Sequence, residues 1–203
     1  WQPSTSASTA FFYRLLFERY AKMTGASKDF VKYQAHDFSM RGMPGVEAAV
    51  MSGGGHLLSF VGTDTIPAIP YLEHYYGANS DNELVGTSIF ATEHSVMCMG
   101  GPEGEFDIYH RLLTEVYSDE EFFSVVSDTY NLWRVLTDYL PRLKEIIMAR
   151  TGKIVIRPDS GDPEHILCGD PGATPGSPEY KGVVELLWEV FGGTTNSLGY
   201  RQL

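Results

Sequence analysis

Five times along this chain a short β-prone run leads into a polar cluster and then into a helix-like segment, and this alternation constrains the fold more than any other feature. Repeated β-then-α units give a mostly parallel sheet, open or closed into a barrel. Such sheets bind ligands at the carboxyl ends of their strands. The clusters are HDFSMRG (36–42), GTDT (62–65), TEHS (92–95), SDT (127–129) and RPDSG (157–161). Each places His, Asp or Arg at the same end of its unit.

The remaining pattern supplies the elements. Apolar spacing predicts helices over 11–23, 46–51, 66–76, 106–116, 130–139, 141–149 and 180–191. In the first, Phe12, Leu15, Leu16, Tyr20 and Met23 share one face, Ser8 or Thr9 is placed to cap it, and Gly25 to end it. Gly53, Gly54 and Gly55 read as a helix break, with a phosphate-binding nest as the alternative. Pro67 and Pro70 suit the first turn of a helix that Gly77 ends. Strands are expected over 33–38, 57–61, 88–91, 122–126 and 153–156. A Gly/Pro-rich stretch over 169–178 precedes the last helix, and no internal repeat is present.

Composition narrows the partners. The 203 residues are 43% hydrophobic and 20% charged, as in a globular chain of one domain or part of one. The net charge of −11 argues against a general nucleic-acid surface. No apolar run approaches the roughly 18–20 residues of a membrane span. Cys98 and Cys168 form neither a disulfide framework nor metal-site spacing, so a reduced, cytoplasmic setting is expected. An anionic ligand on so acidic a chain must be held by placed Arg, a metal or backbone N–H groups.

Asp, Ser and Thr after a strand are common helix caps, which accounts for Asp128, Thr65 and Ser160 taken singly. Capping does not account for Arg41, Arg157 or His94. Two Arg beside several Asp suit a phosphorylated substrate carrying a divalent metal. Neither a Walker A motif nor G-x-G-x-x-G occurs. His36, His56, His74, His110 and His165 read as surface or packing residues. Phe38 alone reads as core, Met97 and Cys98 as packing, and the acidic run 119–121 as a solvated loop.

Taken in order, HDFSMRG (36–42), GTDT (62–65), ATEHS (91–95), VVSDTY (125–130) and IRPDSGDP (156–163) resemble the nicotinamide phosphoribosyltransferase family over nearly the whole chain. The resemblance implies a type II phosphoribosyltransferase-like irregular α/β barrel, here incomplete, with residues 1–203 the central part of the catalytic domain. An N-terminal segment and the C-terminal part of the barrel would lie outside it, so the isolated chain is expected to be inactive. The implied reaction joins nicotinamide to phosphoribosyl pyrophosphate, giving nicotinamide mononucleotide and pyrophosphate in NAD salvage. Mg²⁺ rides on the substrate, ATP is co-substrate, and the active form is a homodimer with shared sites.

The implied roles fall on matching positions. Phe38 stacks on the pyridine ring, and Arg41 contacts phosphate or pyrophosphate. Asp64 accepts from the carboxamide, and His94 is the histidine that ATP phosphorylates. Asp128 supports the His94 or metal region, Arg157 contacts ring and phosphate groups, and Asp159 the ribose hydroxyls. No protein-bound metal is expected. Facing nicotinate, Asp64 would meet a like charge at a cost of about 1–4 kcal/mol. Ser39, Met40 and Asp162 depart from the family's pattern, which has Gly, an aromatic residue and Asn at those places. Three rival readings stay open: a nicotinate phosphoribosyltransferase, a metal-dependent barrel hydrolase (though no H-x-H occurs) and a non-catalytic module that binds NAD metabolites.

Overall fold

Pro3 lies in the first turn of the opening helix, where its missing N–H costs nothing. In this computed structural model, which describes residues 1–119 and 121–203, that helix, α1, runs over Gln2–Thr24 and ends at Gly25 with φ 74°. It starts well before Ser8, which therefore does not cap it. Its expected face is also reversed: Phe12, Leu15, Leu16, Tyr20 and Met23 are exposed, and Ala10 and Ala21 are buried.

The glycine triplet explains why. A helix, α3 (Val46–Leu57), follows β1 (His36–Asp37) and the single turn α2 (Ser39–Gly42), and it continues unbroken through Gly53, Gly54 and Gly55. Successive helical residues point about 100° apart, so each glycine meets a different neighbour. A Cβ on Gly53 would lie 2.9 Å from Asp37 Oδ2, one on Gly54 2.8 Å from the Tyr71 ring, and one on Gly55 2.7 Å from the Pro3 carbonyl oxygen. The expected break and nest are thus a packing surface. It admits α1 so closely that the Ser6 hydroxyl donates to the Ser52 carbonyl at 2.7 Å, and small residues of α1 turn inward.

Strand β2 is confined to Gly62–Thr63, because α3 takes Leu57 and a turn takes the next residues. It pairs in parallel with β1, His36 opposite Gly62 and Asp37 opposite Thr63. Lys28–Tyr33 form 3-10 turns, which shortens the first expected strand to two residues. Helix α4 (Ala68–Tyr76) ends at Gly77 as expected. These elements make one compact unit, Trp1–Ser88; the second is Ile89–Leu203.

In the second unit β3 (Phe90–Ala91), β4 (Phe123–Val126) and β5 (Ile154–Arg157) form a parallel sheet in that order. All four β4 residues are buried, which fits a central strand covered on both faces. Between β3 and β4 lie α5 (His94–Met97) and α6 (Gly101–Arg111), the latter running on as a π-helical turn over Leu112–Val116. Between β4 and β5 lie α7 (Leu132–Arg134), a π-helical turn over Val135–Tyr139 and α8 (Leu140–Ala149). Asn131, not Asp128, caps α7 by accepting from the Arg134 amide at 3.0 Å. Met97, Tyr109, Phe123, Leu136, Tyr139 and Leu140 are among the large side chains of this unit's core. Cys98, expected to pack, is exposed.

After β5 come α9 (Pro163–Cys168), a helix the sequence pattern did not suggest, and α10 (Pro178–Phe191). Asp162 caps α9 by accepting from the Glu164 and His165 amides at 2.9 and 3.3 Å. The expected helix over 180–191 is interrupted at Gly182, where φ is 78° and a Cβ would sit 2.3 Å from the Gly169 nitrogen. Strands β6 (Thr194–Thr195) and β7 (Arg201–Gln202) close the chain as an antiparallel pair. The fold is mixed α/β, and the sheets among the described residues are open. Glu120, part of the expected acidic loop, lies outside the described residues. No described helix is long and apolar enough to cross a membrane.

Candidate active site

Parallel pairing puts the polar clusters of each unit at the carboxyl ends of its strands. In the second unit this assembles four expected residues into one network. His94 follows β3, Asp128 follows β4, and Arg157 and Asp159 end β5. His94 Nε2 lies 3.3 Å from Asp128 Oδ1. Asp128 Oδ2 accepts from the Asp159 amide at 2.8 Å and from the Ser160 hydroxyl at 2.6 Å. Arg157 donates to Asp159 Oδ2 at 3.3 Å, and His94 Nδ1 is 4.0 Å from that same oxygen.

Asp128 therefore ties three strand ends together. Burial pushes its carboxyl up, but the Ser160 hydroxyl, the Asp159 amide and His94 outweigh this and hold it below the ordinary carboxylate value. It stays an anion beside His94. The segment leading to it is fixed from below: buried Tyr109 donates to Ser127 Oγ at 2.9 Å, and Ser127 donates to the Val125 carbonyl at 2.8 Å. Ser160, read from sequence as a helix cap, serves Asp128 instead.

The first unit holds Phe38, Arg41 and Asp64. Phe38 and Arg41 are exposed around α2, and the Asp64 side chain is about half exposed after β2. Asp64 Oδ1 accepts from His36 Nε2 at 2.7 Å and from Ser88 Oγ at 3.0 Å. The His36 ring also lies 4.7 Å from the Phe38 ring. Neither His36 nor Ser88 was singled out from the sequence. The strand period of two, which puts His36 and Phe38 on one face, was the available signal for His36.

Asp37, between these residues, is a structural anion. It is 6% exposed and accepts from the Ser39 amide at 3.1 Å, from Thr63 Oγ1 at 3.0 Å and from the Ser39 hydroxyl. Burial raises its pKa, while its hydrogen bonds, those from Ser39 foremost, lower it further than burial raises it. Ser39 thus clamps the turn that carries Phe38 and Arg41, a use that a glycine there would not supply.

Among the described residues no group of three His, Cys, Asp or Glu side chains is placed to hold a metal ion. Both Asp128 oxygens already accept from protein donors.

The family model for nicotinate phosphoribosyltransferases (NAPRTase) matches residues 33–203. The chain belongs to that family. Its curated relatives include nicotinamide phosphoribosyltransferases of Acinetobacter baylyi, 51% identical, and Mycoplasma pneumoniae, 37% identical, each matched over 100% of this chain. A third, from Xanthomonas campestris, is 31% identical over the same full extent. The chain covers 41%, 42% and 40% of these three relatives, or about two fifths of their length. All five phrases that carry the resemblance fall wholly inside the family match.

Proposed function

We propose that this protein transfers the phosphoribosyl group of phosphoribosyl pyrophosphate to nicotinamide, releasing pyrophosphate and forming nicotinamide mononucleotide in NAD salvage. The observation that carries the reading is the network joining His94, Asp128, Asp159 and Arg157 across three strand ends. Relatives named nicotinamide phosphoribosyltransferase support the choice of base.

In the reaction the pyridine nitrogen attacks C1′ of the ribose. The C1′–O bond breaks, and its electron pair leaves on pyrophosphate. No general base is needed, because the nucleophile carries no proton. The protein has to orient the base, hold the ribose and offset the leaving charge. Phe38 stacks on the ring, and Asp64 accepts from the carboxamide. Arg41 and Arg157 take phosphate oxygens, and Asp159 takes ribose hydroxyls. Mg²⁺ enters on the pyrophosphate as part of the substrate. With Nε2–H donating to Asp128, His94 keeps its lone pair on Nδ1. That nitrogen attacks the γ-phosphorus of ATP, the bridging P–O bond breaks, and ADP leaves.

We place the protein in the cytoplasm as a homodimer with shared sites and an irregular α/β barrel, the chain here being its incomplete central part. The exposed aromatic face of α1 supports the dimer, and the two free cysteines support a reducing compartment. The test offers full-length protein phosphoribosyl pyrophosphate, Mg²⁺ and ATP, with nicotinamide and nicotinate in separate reactions. Mononucleotide from nicotinamide is expected, and none from the 203-residue chain alone. Product from nicotinate alone would keep the reaction and reverse the base. Product from neither would leave a binding module.

A further inference from the structure

His36 sits between the two groups assigned to the base. Its Nε2 is 2.7 Å from Asp64 Oδ1, and its ring centroid is 4.7 Å from that of Phe38. Ser88 Oγ reaches the same Asp64 oxygen at 3.0 Å. The three residues come from β1, from the turn after β2, and from beyond Thr87, which bridges Gly62 in parallel. The strand register also makes room for the imidazole. His36 lies opposite Gly62, and a Cβ at position 62 would be 2.9 Å from His36 Nδ1 and 2.7 Å from the Ala35 carbonyl oxygen. A residue without a Cβ lets the ring lie where Nε2 meets Asp64.

We propose that His36 is a positioning residue for binding of the base: with Ser88 it occupies Asp64 Oδ1 and so turns Oδ2 toward the carboxamide NH₂ of the base. This rests on the reading of Asp64 as the amide acceptor. A half-exposed carboxylate rotates freely about its last torsion, which is broad and two-fold. Two donors on one oxygen stop that rotation before substrate arrives, and a pre-ordered acceptor loses less entropy on binding. Bond making at C1′ does not involve Asp64, so the effect falls on binding of the base. The same imidazole braces the Phe38 ring, coupling the stacking surface to the acceptor.

The test compares full-length wild type with His36→Leu, His36→Gln and Gly62→Ala, varying nicotinamide at saturating phosphoribosyl pyrophosphate, Mg²⁺ and ATP. His36→Leu keeps bulk against Phe38 but removes the donor. It is expected to raise the nicotinamide KM about ten-fold, with kcat within about two-fold. His36→Gln, whose amide can donate in place of Nε2, should return KM to within about three-fold of wild type. Gly62→Ala leaves His36 in the sequence but displaces its ring, and should match His36→Leu. A His36→Leu KM within about two-fold of wild type, a loss confined to kcat, a His36→Gln variant no better than His36→Leu, or an unchanged Gly62→Ala would each overturn the proposal. If wild type makes no product, the reading of function fails separately. Calorimetric titration of nicotinamide alone then decides: about ten-fold weaker binding by His36→Leu with rescue by His36→Gln sustains the role. Equal binding by all variants, or none by wild type, ends it.

Discussion

At the residue scale, the role proposed for Asp64 makes charge sign the discriminator between the two bases. An ionised carboxylate accepts from a neutral amide and repels a second carboxylate, by about 1–4 kcal/mol at ~4 Å in a partly screened site. Asp64→Asn removes the repulsion and leaves an acceptor oxygen. We expect its preference for nicotinamide over nicotinate to fall by about ten-fold or more, read as the ratio of kcat/KM for the two bases. A preference equal to that of wild type would remove Asp64 from base selection. The candidate residues were legible because Arg and His at strand ends have no capping explanation. Their mutual distances were not legible. Taken singly in the sequence Asp128 reads as a helix cap, yet it joins three strand ends, because its donors on Ser160 and Asp159 lie more than thirty positions away.

At the scale of elements, the glycine triplet shows how a local rule fails. Glycine weakens an isolated helix by about 1 kcal/mol per residue, so three in a row predict a break. Helix α3 persists because each glycine admits a close neighbour, and contacts with α1, α4 and Asp37 offset the propensity loss. The two kinds of helical glycine should therefore respond oppositely to alanine. At Gly54 a methyl meets the Tyr71 ring at 2.8 Å, so Gly54→Ala should lower stability by about 1–3 kcal/mol. At Gly104, in α6, nothing lies within 4 Å of the added Cβ. Gly104→Ala should raise stability by about 0.5–1 kcal/mol. Thermal or denaturant unfolding of the two variants measures both, and shifts of the same sign would discard the packing argument for α3. The strand boundaries erred for a related reason. The run 57–61 looks β-prone, but Leu57 closes α3 and packs beside Ala68 and Leu72, so pairing begins only at Gly62.

At the scale of the whole molecule, two clamped carboxylates are expected to shape the acid limb of stability. Asp37 holds the first unit's turn and Asp128 the second unit's strand ends, and both have folded pKa values below the ordinary one. Each therefore contributes stability that is fully present above the unfolded value of about 4 and is lost as pH falls through the folded value. Unfolding followed from pH 7 to pH 2 should show stability draining below about pH 4. Asp37→Asn and Asp128→Asn should each flatten that acid limb, and an unchanged limb in both would refute the assignment. The sequence by itself determined the β/α alternation, the end of each sheet that carries the candidate residues and the residue types gathered there. Those follow from local periodicity and from side-chain chemistry that capping cannot explain. Only the tertiary structure decided that the glycines pack rather than break α3, that the aromatic face of α1 stays exposed, and that His36 and Ser88 grip Asp64. Each depends on contacts between residues far apart in the chain, and no local pattern encodes such a distance.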